Sequence, residues 1–336
     1  MNNLNQLGTE RKLRSEKGKH PFKNPRWVYE GEKLRVHIAA LGDVGATTLM
    51  GLKLLGSDVI ETIGIIDLDE NRMKRYEAEC NQICYPWAYD VLPKVVLLKE
   101  DELFDCDVFI FCATKGVPPV GTAVQDVRMQ QLRANRSIVE SYAKKARTCG
   151  YDGLFAVVSD PVEPLCNAAW QISNCNESGA FDDNGLHLEQ VQGYGLGVMN
   201  ARAVYYAKKN PGKYGLFLTE GRVFGPHGKS LVVADSITQY HDKESRELSK
   251  LANLSVRALG FKPYIAPALS SAAISILLTM RGADHYGSGA LHEIYFGCKN
   301  KYTKEGLETE CQELPGQLYE RIRSAYRELE EISDNC

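Results

Sequence analysis

Val36-His-Ile-Ala-Ala-Leu-Gly-Asp-Val-Gly-Ala-Thr-Thr-Leu49 is an apolar run that enters a tight turn, Gly42-Asp43-Val44-Gly45. About twenty residues further on comes Ile63-Gly-Ile-Ile-Asp67, the spacing of a strand, an anion-cradling turn, a helix, and a second strand ending in a carboxylate placed for an adenosine ribose. Gly42 lets a pyrophosphate approach bare backbone, and Gly45 lets the helix pack close to its strand. The first helical residues, Asp43 and Val44 among them, offer unpaired N–H groups to an anion. Asp67 suits two ribose hydroxyls and repels a 2′-phosphate, so the expected cofactor is NAD rather than NADP. The first glycine of the usual G-x-G-x-x-G pattern is Ala40 here, a replacement that fits on condition of a negative φ. A lone turn of this kind also occurs in α/β proteins that bind no nucleotide; its weight comes from the strand, turn and helix around it.

The composition agrees with an enzyme and excludes several other classes. A chain of 336 residues exceeds one typical core, and 44% hydrophobic content supplies apolar surface for two. A net charge of -3 gives no general attraction to nucleic acid or to a membrane surface, no apolar run reaches bilayer length, and the polar N-terminus lacks the apolar stretch of a signal peptide. A cytoplasmic protein is expected. The ten cysteines form no CxxC pair, which fits a reducing compartment; Cys80 and Cys84 lie one helical turn apart without a companion His/Cys pair, so no metal site is expected. Residues 1–33 read as an N-terminal arm, basic and broken by Pro21 and Pro25, with Trp27, Val28 and Tyr29 available to anchor it on the body or on a neighbouring subunit. Acidic residues are mixed among its basic ones, which argues against nucleic-acid binding.

From Val36 the chain alternates short apolar runs with helix-like stretches: strand 36–41, helix 44–55, strand 62–67, helix 70–82, then strands at Val95–Leu98, Asp107–Cys112 and Leu154–Ser159. Such alternation predicts an α/β fold: a Rossmann doubly wound parallel sheet over 34–180, followed by an α+β substrate domain over 181–336. Ligands then sit at the carboxyl ends of the strands. Leu318, Ile322 and Leu329, with charges between them, predict a terminal helix that packs back through one apolar stripe.

Those strand ends carry a family pattern. Asp107-Val-Phe-Ile-Phe-Cys-Ala113 precedes a Gly/Pro loop, Arg128, Asn135 and Ile138; later come Ser159-Asp-Pro-Val-Glu163, Arg202 and Gly225-Pro-His-Gly228. In this order and spacing the chain, from about Val36 to Ser236, resembles the lactate/malate dehydrogenase family. The resemblance implies NAD as cofactor, with Ala113, Asn135 and Ser159 among its contacts, and a homodimer or higher homo-oligomer. It implies that His227 is the acid that protonates a 2-oxo group, a task suited to an imidazole. Arg202 would fork onto the substrate carboxylate, and Arg128 would be the arginine of a mobile loop that polarises the carbonyl. Read without the family, His227 is a structural turn residue, Arg202 is open to reading as a helix-surface arginine, and the loop before Arg128 is longer than the pattern asks.

Two departures bear on the chemistry. Where the family places an aspartate behind the catalytic histidine this chain has Met199, which accepts no charge-assisted hydrogen bond; Asn200 is polar but supplies no counter-charge. The family's Ser-Asn-Pro turn is Ser159-Asp160-Pro161, which puts a carboxylate near the reacting carbon. Taken as buried there, Asp160 disfavours pyruvate or oxaloacetate and favours a positively charged nitrogen, or serves as an acid-base partner; the bland alternative is an Asx-turn. Lys115-Gly-Val-Pro-Pro-Val-Gly121 contains no arginine for a second carboxylate, so simple malate is not expected, and Lys262 falls near the pocket or in solvent. The expected activity is NAD-dependent hydride transfer on a small 2-hydroxy/2-oxo carboxylate or an amino-bearing relative. The competing class is an NAD-binding regulatory protein without turnover, for which Met199 argues.

Overall fold

Alternation along the strands divides the core into two faces. Val36 and Ile38 of Leu34–Ala39 (β1) join Ile63 and Ile65 of Ile60–Ile66 (β2) in one buried cluster, while Ala39 faces a second cluster with Phe109, Phe111 and Phe155. The structure is a computed structural model that describes residues 2–115, 127–226, 228–254, 259–261 and 263–334, except for the side chains of 127–129 and 254. Helix Asp43–Leu55 (α1) lies on the first face through Leu49 and Leu52, and Glu70–Asn81 (α2) meets it through Met73 and Cys80. After Lys94–Leu97 (β3) and Val108–Phe111 (β4), helix Val127–Thr148 (α3) covers the second face with Leu132, Val139 and Ala143. Leu154–Val157 (β5) and Val162–Ser173 (α4) follow, then the short strand Val191–Gly193 (β6). All four residues of β4 are buried, as expected of a parallel strand covered on both faces.

The parallel strands stand in the order β3-β2-β1-β4-β5-β6. This is the doubly wound arrangement, with a crevice at the carboxyl ends where the order reverses between β1 and β4. The chain then forms helix Gly197–Lys209 (α5), two single-turn helices at Pro211–Tyr214 (α6) and Phe217–Glu220 (α7), and a ribbon of Arg222–Phe224 (β7) with Val232–Ala234 (β8). Asp242–Leu254 (α8) is followed by a π-helical stretch, Pro267–Ile274, that runs into Ser275–Met280 (α9). His285–Leu291 (β9), Ile294–Thr303 (β10) and Gly306–Thr309 (β11) pair antiparallel and extend the same sheet beyond β6, giving nine strands among the described residues. The sheet therefore runs on past residue 180. Gly316–Asp334 (α10) closes the chain with Leu318, Ile322 and Leu329 buried, the stripe expected of it.

The N-terminal arm lies on its own body. Trp27 is wholly buried, stacked on Phe22 at 5.1 Å and edge-on to Tyr302 at 5.4 Å, and Leu4 and Leu7 are buried with the apolar face of α10. Arg26 reaches Asp107 at 2.8 Å, so the arm also ties to the start of β4. No described helix is long and apolar enough to cross a membrane, and no group of three His, Cys, Asp or Glu among the described residues is arranged to hold a metal.

Candidate active site

The turn after β1 is built from backbone contact. Gly42 caps α1 with no side-chain hydrogen bond to the first-turn amides, and a Cβ on Gly42 would meet nothing within 4 Å. A Cβ on Gly45 would fall 2.0 Å from the Ala40 carbonyl oxygen, so only glycine allows the helix this close to its strand. Asp67 holds the turn from the side: Leu41 N–H donates to Oδ2 at 2.6 Å, and Oδ1 accepts from Asp69 N at 3.0 Å and Arg72 Nη1 at 3.3 Å. Open space above Gly42, uncapped amides and a carboxylate at the end of β2 fit a pyrophosphate and its ribose. The condition set for alanine at position 40 is not met. Ala40 has φ +73, not a negative value, so this alanine occupies the left-handed region where the pattern has glycine, at a cost of about 1 kcal/mol.

The ends of β4 and β5 are joined by side chains named from the sequence. Ser159 Oγ donates to Ala113 O at 2.8 Å. Asn135, buried on α3, donates through Nδ2 to Asp160 O at 2.8 Å, and its Oδ1 accepts from Lys115 N at 2.9 Å and Thr114 Oγ1 at 3.2 Å. Ala113, Asn135, Ser159 and Asp160 are thus brought together at one edge of the crevice. Burial pushes the nearby Cys112 thiol up to about 12, which leaves it a protonated, inert packing group. Asp160 corrects an expectation: it is exposed, beyond the end of β5 and before α4. At an exposed position burial supplies no penalty against a 2-oxo acid.

The residues expected on the substrate side lie in the second half. Arg202 is half-buried on α5, and its Nη1 donates to Ala252 O of α8 at 3.3 Å and lies 4.0 Å from Met199 Sδ, one turn earlier on the same helix. Met199 is buried. The start of α5 is seated on the π-helical stretch: Val198 N donates to Ser271 Oγ at 2.8 Å, which donates to Gly195 O at 2.9 Å. That stretch packs in turn on α1, where a Cβ on Gly51 would meet Ala273 at 2.6 Å. A continuous path therefore sets Arg202 relative to the cofactor turn. The Gly225–Gly228 turn is held at both ends, by Gly225 N to Gly297 O at 2.8 Å and by Asn253 Nδ2 to Gly228 O at 2.7 Å. His227 lies outside the described residues, as do Lys262, the segment 116–126 and the Arg128 side chain, although the Arg128 backbone belongs to α3.

Two features escape sequence reading. Glu163 is 2% exposed and accepts from Ser288 Oγ at 2.8 Å; it stands within a quoted motif, but nothing local shows that it turns inward. His285, on β9, lies in a buried network in which Nδ1 donates to Ala283 O at 3.1 Å and Nε2 faces Gln192 Nε2 and Thr279 Oγ1, each at 3.1 Å. Burial lowers its pKa to about 4.

The comparisons with known proteins follow this geometry. Residues 34–182 match the family profile described as lactate/malate dehydrogenase, NAD binding domain. L-lactate dehydrogenase 1 of Staphylococcus aureus (strain MRSA252) is 24% identical over 168 residues, 49% of this chain and 46% of that protein. L-lactate dehydrogenase of Corynebacterium glutamicum (strain R) is 26% identical over 171 residues, 51% of this chain and 48% of that one. The matched region thus spans about half the length of these relatives. In solved structures, the minor L-lactate dehydrogenase of Enterococcus mundtii superposes with a TM-score of 0.71 at 19% identity, over 90% of this chain and 98% of its own. A lactate dehydrogenase from a Medee basin deep-sea metagenome gives 0.69 at 16% identity with the same coverage, and at such identities the likeness concerns the fold. The protein is an α/β protein with an NAD-binding Rossmann domain. Its residues 34–182 are similar to the NAD-binding domain of the lactate/malate dehydrogenase family.

Proposed function

We propose that this chain is an NAD-dependent oxidoreductase that moves hydride to or from a 2-hydroxy/2-oxo carboxylate or an amino-bearing relative. The observation that carries the reading is Arg202, half-buried on a helix seated, through the π-helical stretch, against the helix of the cofactor turn. NAD, held by Gly42, Asp43, Val44, Gly45 and Asp67 at one end and by Ala113, Asn135 and Ser159 at the other, supplies the hydride chemistry. The planar guanidinium of Arg202 fits a carboxylate with two parallel bonds. His227 then exchanges the proton at the substrate oxygen or nitrogen, and Arg128 polarises that bond. In the same reading residues 1–33 form an arm, 34–180 the cofactor unit and 181–336 the substrate unit of a cytoplasmic homodimer or higher homo-oligomer.

The test follows NADH absorbance with a panel of 2-oxo and 2-imino acids. Turnover by the unaltered protein, abolished in His227→Ala with NADH affinity nearly unchanged, is the expected result. Met199 favours one other reading, an NAD-binding protein without turnover. NADH binding with no consumption across the whole panel would establish that reading and remove this one.

A further inference from the structure

Cys80 and Cys84 lie well apart from the cofactor turn, because α2 leads away from Asp67 for about 18 Å before the chain reaches them. The end of α2 is the neck of a loop, residues 82–93, that returns to β3. Asn81 clamps this neck: its Nδ2 donates to Val95 O at 2.8 Å and its Oδ1 accepts from Val95 N at 2.9 Å, while Lys53 Nζ on α1 donates to Pro93 O at 2.7 Å. Cys80 is 2% exposed, in the apolar cluster that holds Leu49 and Leu52 of α1, and Cys84 is exposed. Ile83 N donates to Cys80 O at 3.2 Å, so the chain is still turning as it reaches Cys84. Lys53, 3% exposed, joins the two thiols. Burial lowers the pKa of its ammonium and the groups that raise it again are Cys80 and Cys84, so one buried cation stands within electrostatic reach of both sulfurs. The same cation opposes the rise that burial imposes on the Cys80 thiol.

We propose that Cys80 and Cys84, with Lys53 beside them, form a reversible oxidation site for a hydroperoxide. The exposed Cys84 thiolate attacks the peroxide; an S–O bond forms, the O–O bond breaks, and the leaving oxygen departs with the electron pair and takes a proton from water. The Cys80 thiol then gives up its proton and its sulfur attacks the Cys84 sulfenic acid. An S–S bond forms, and the hydroxide that leaves becomes water with that proton. Two thiols are oxidised and one peroxide is reduced. The bridge asks Cys84 to turn inward between the fixed points at Asn81 and Lys53, and it needs Cα atoms about 4.4–6.8 Å apart, a span that suits residues one turn apart. The Lys53 cation favours the thiolate at each step. The site is independent of the hydride-transfer reading.

Both cysteines fall in one tryptic peptide, Tyr76–Lys94, so a bridge makes that peptide two hydrogens lighter. The reduced, full-length protein is treated with stoichiometric hydrogen peroxide, alkylated at intervals and mapped by mass spectrometry. The bridge is expected to form at least about fivefold faster than thiol is lost at Cys149 or Cys311, which are also exposed, to be reversed by dithiothreitol, and to lose its lead when the chain is unfolded in guanidinium. Cys80→Ser should leave Cys84 as a sulfenic acid that dimedone captures. Lys53→Gln, whose amide still reaches for Pro93 O, should slow bridging by about fivefold, and Lys53→Arg, which keeps the charge, should bridge near the unaltered rate. Oxidation of Cys84 no faster than that of Cys149 and Cys311, or a sulfinic Cys84 beside a reduced Cys80, would overturn the proposal. So would bridging at the unaltered rate in Lys53→Gln.

Discussion

The turn that fits the cofactor and the proposed substrate end of this molecule are built over different distances along the chain. Gly42, Gly45 and Asp67 belong to one β1-α1-β2 unit and are fixed by main-chain contacts, Leu41 N to Asp67 and the close approach of Gly45 to Ala40 O. Arg202, the Gly225 turn and the Glu163–Ser288 pair come from α5, β7, α4 and β9, and meet only because the antiparallel strands extend the parallel sheet. The difference teaches where change is tolerated. Local backbone packing penalises substitution at the turn after β1 through stability, whereas side chains that meet from distant elements tolerate change without disturbing the fold.

The sharpest way to break that contrast is Arg202→Ala. It should raise KM for a 2-oxo acid by about 100-fold or more, with NADH affinity and melting temperature close to unaltered, and Arg202→Lys should fall between. Steady-state kinetics with fluorescence titration of NADH read this, and an equal loss of cofactor affinity would show that the two ends are not separable. At the other end Gly45→Ala should destabilise the protein by about 3 kcal/mol in chemical denaturation, because the new methyl meets a backbone oxygen that cannot yield. A loss below about 0.5 kcal/mol would show that the helix shifts freely on its strand.

The junction of the halves offers a third measurement. His285 of β9 bonds Gln192 of β6, and Gln192 Nε2 donates to Asn300 Oδ1 of β10 at 3.0 Å. With the imidazole pKa held near 4 by burial, folded and unfolded chains are both neutral at this residue above pH 6.5. As pH falls from 6.5 to 4 the unfolded chain takes up the proton first, so stability declines by up to about 3 kcal/mol, then stays level for this group below pH 4. Denaturation midpoints of the unaltered protein and His285→Gln across that range should converge as pH falls. Parallel curves would place the acid sensitivity elsewhere. The smallest effect concerns cofactor choice. Asp67→Ala frees Arg72 from the carboxylate it now faces at 3.3 Å, so NADP(H) affinity should gain on NAD(H) by about tenfold in calorimetry. An unchanged ratio would mean that Asp67 serves the turn alone.

Much of the cofactor end was legible because its information is local. The apolar run of β1, the glycines of the turn and the acid at the end of β2 each dictate a backbone state or a face within a few residues, and the observed strands begin or end within about two residues of their expected bounds. The apolar stripe of α10 and the strand-end cluster of Ala113, Asn135 and Ser159 were legible for the same reason. The positive φ of Ala40 was not legible because the sterics of one residue yield to the β1-α1 packing that holds it. Asp160 was misread because the family pattern names a position without telling whether water reaches it.

The sequence by itself determined the alternation of strands and helices, the parallel doubly wound sheet and the NAD turn, since periodicity and turn chemistry act between near neighbours. Only the tertiary structure decided that the sheet continues antiparallel through β9, β10 and β11, that the arm folds onto its own body through Trp27, and that Glu163 meets Ser288. Those contacts join residues far apart in the chain, and which side chains face each other is set by the register of β6, β9 and β10, a property of the assembled sheet that no single stretch of sequence contains.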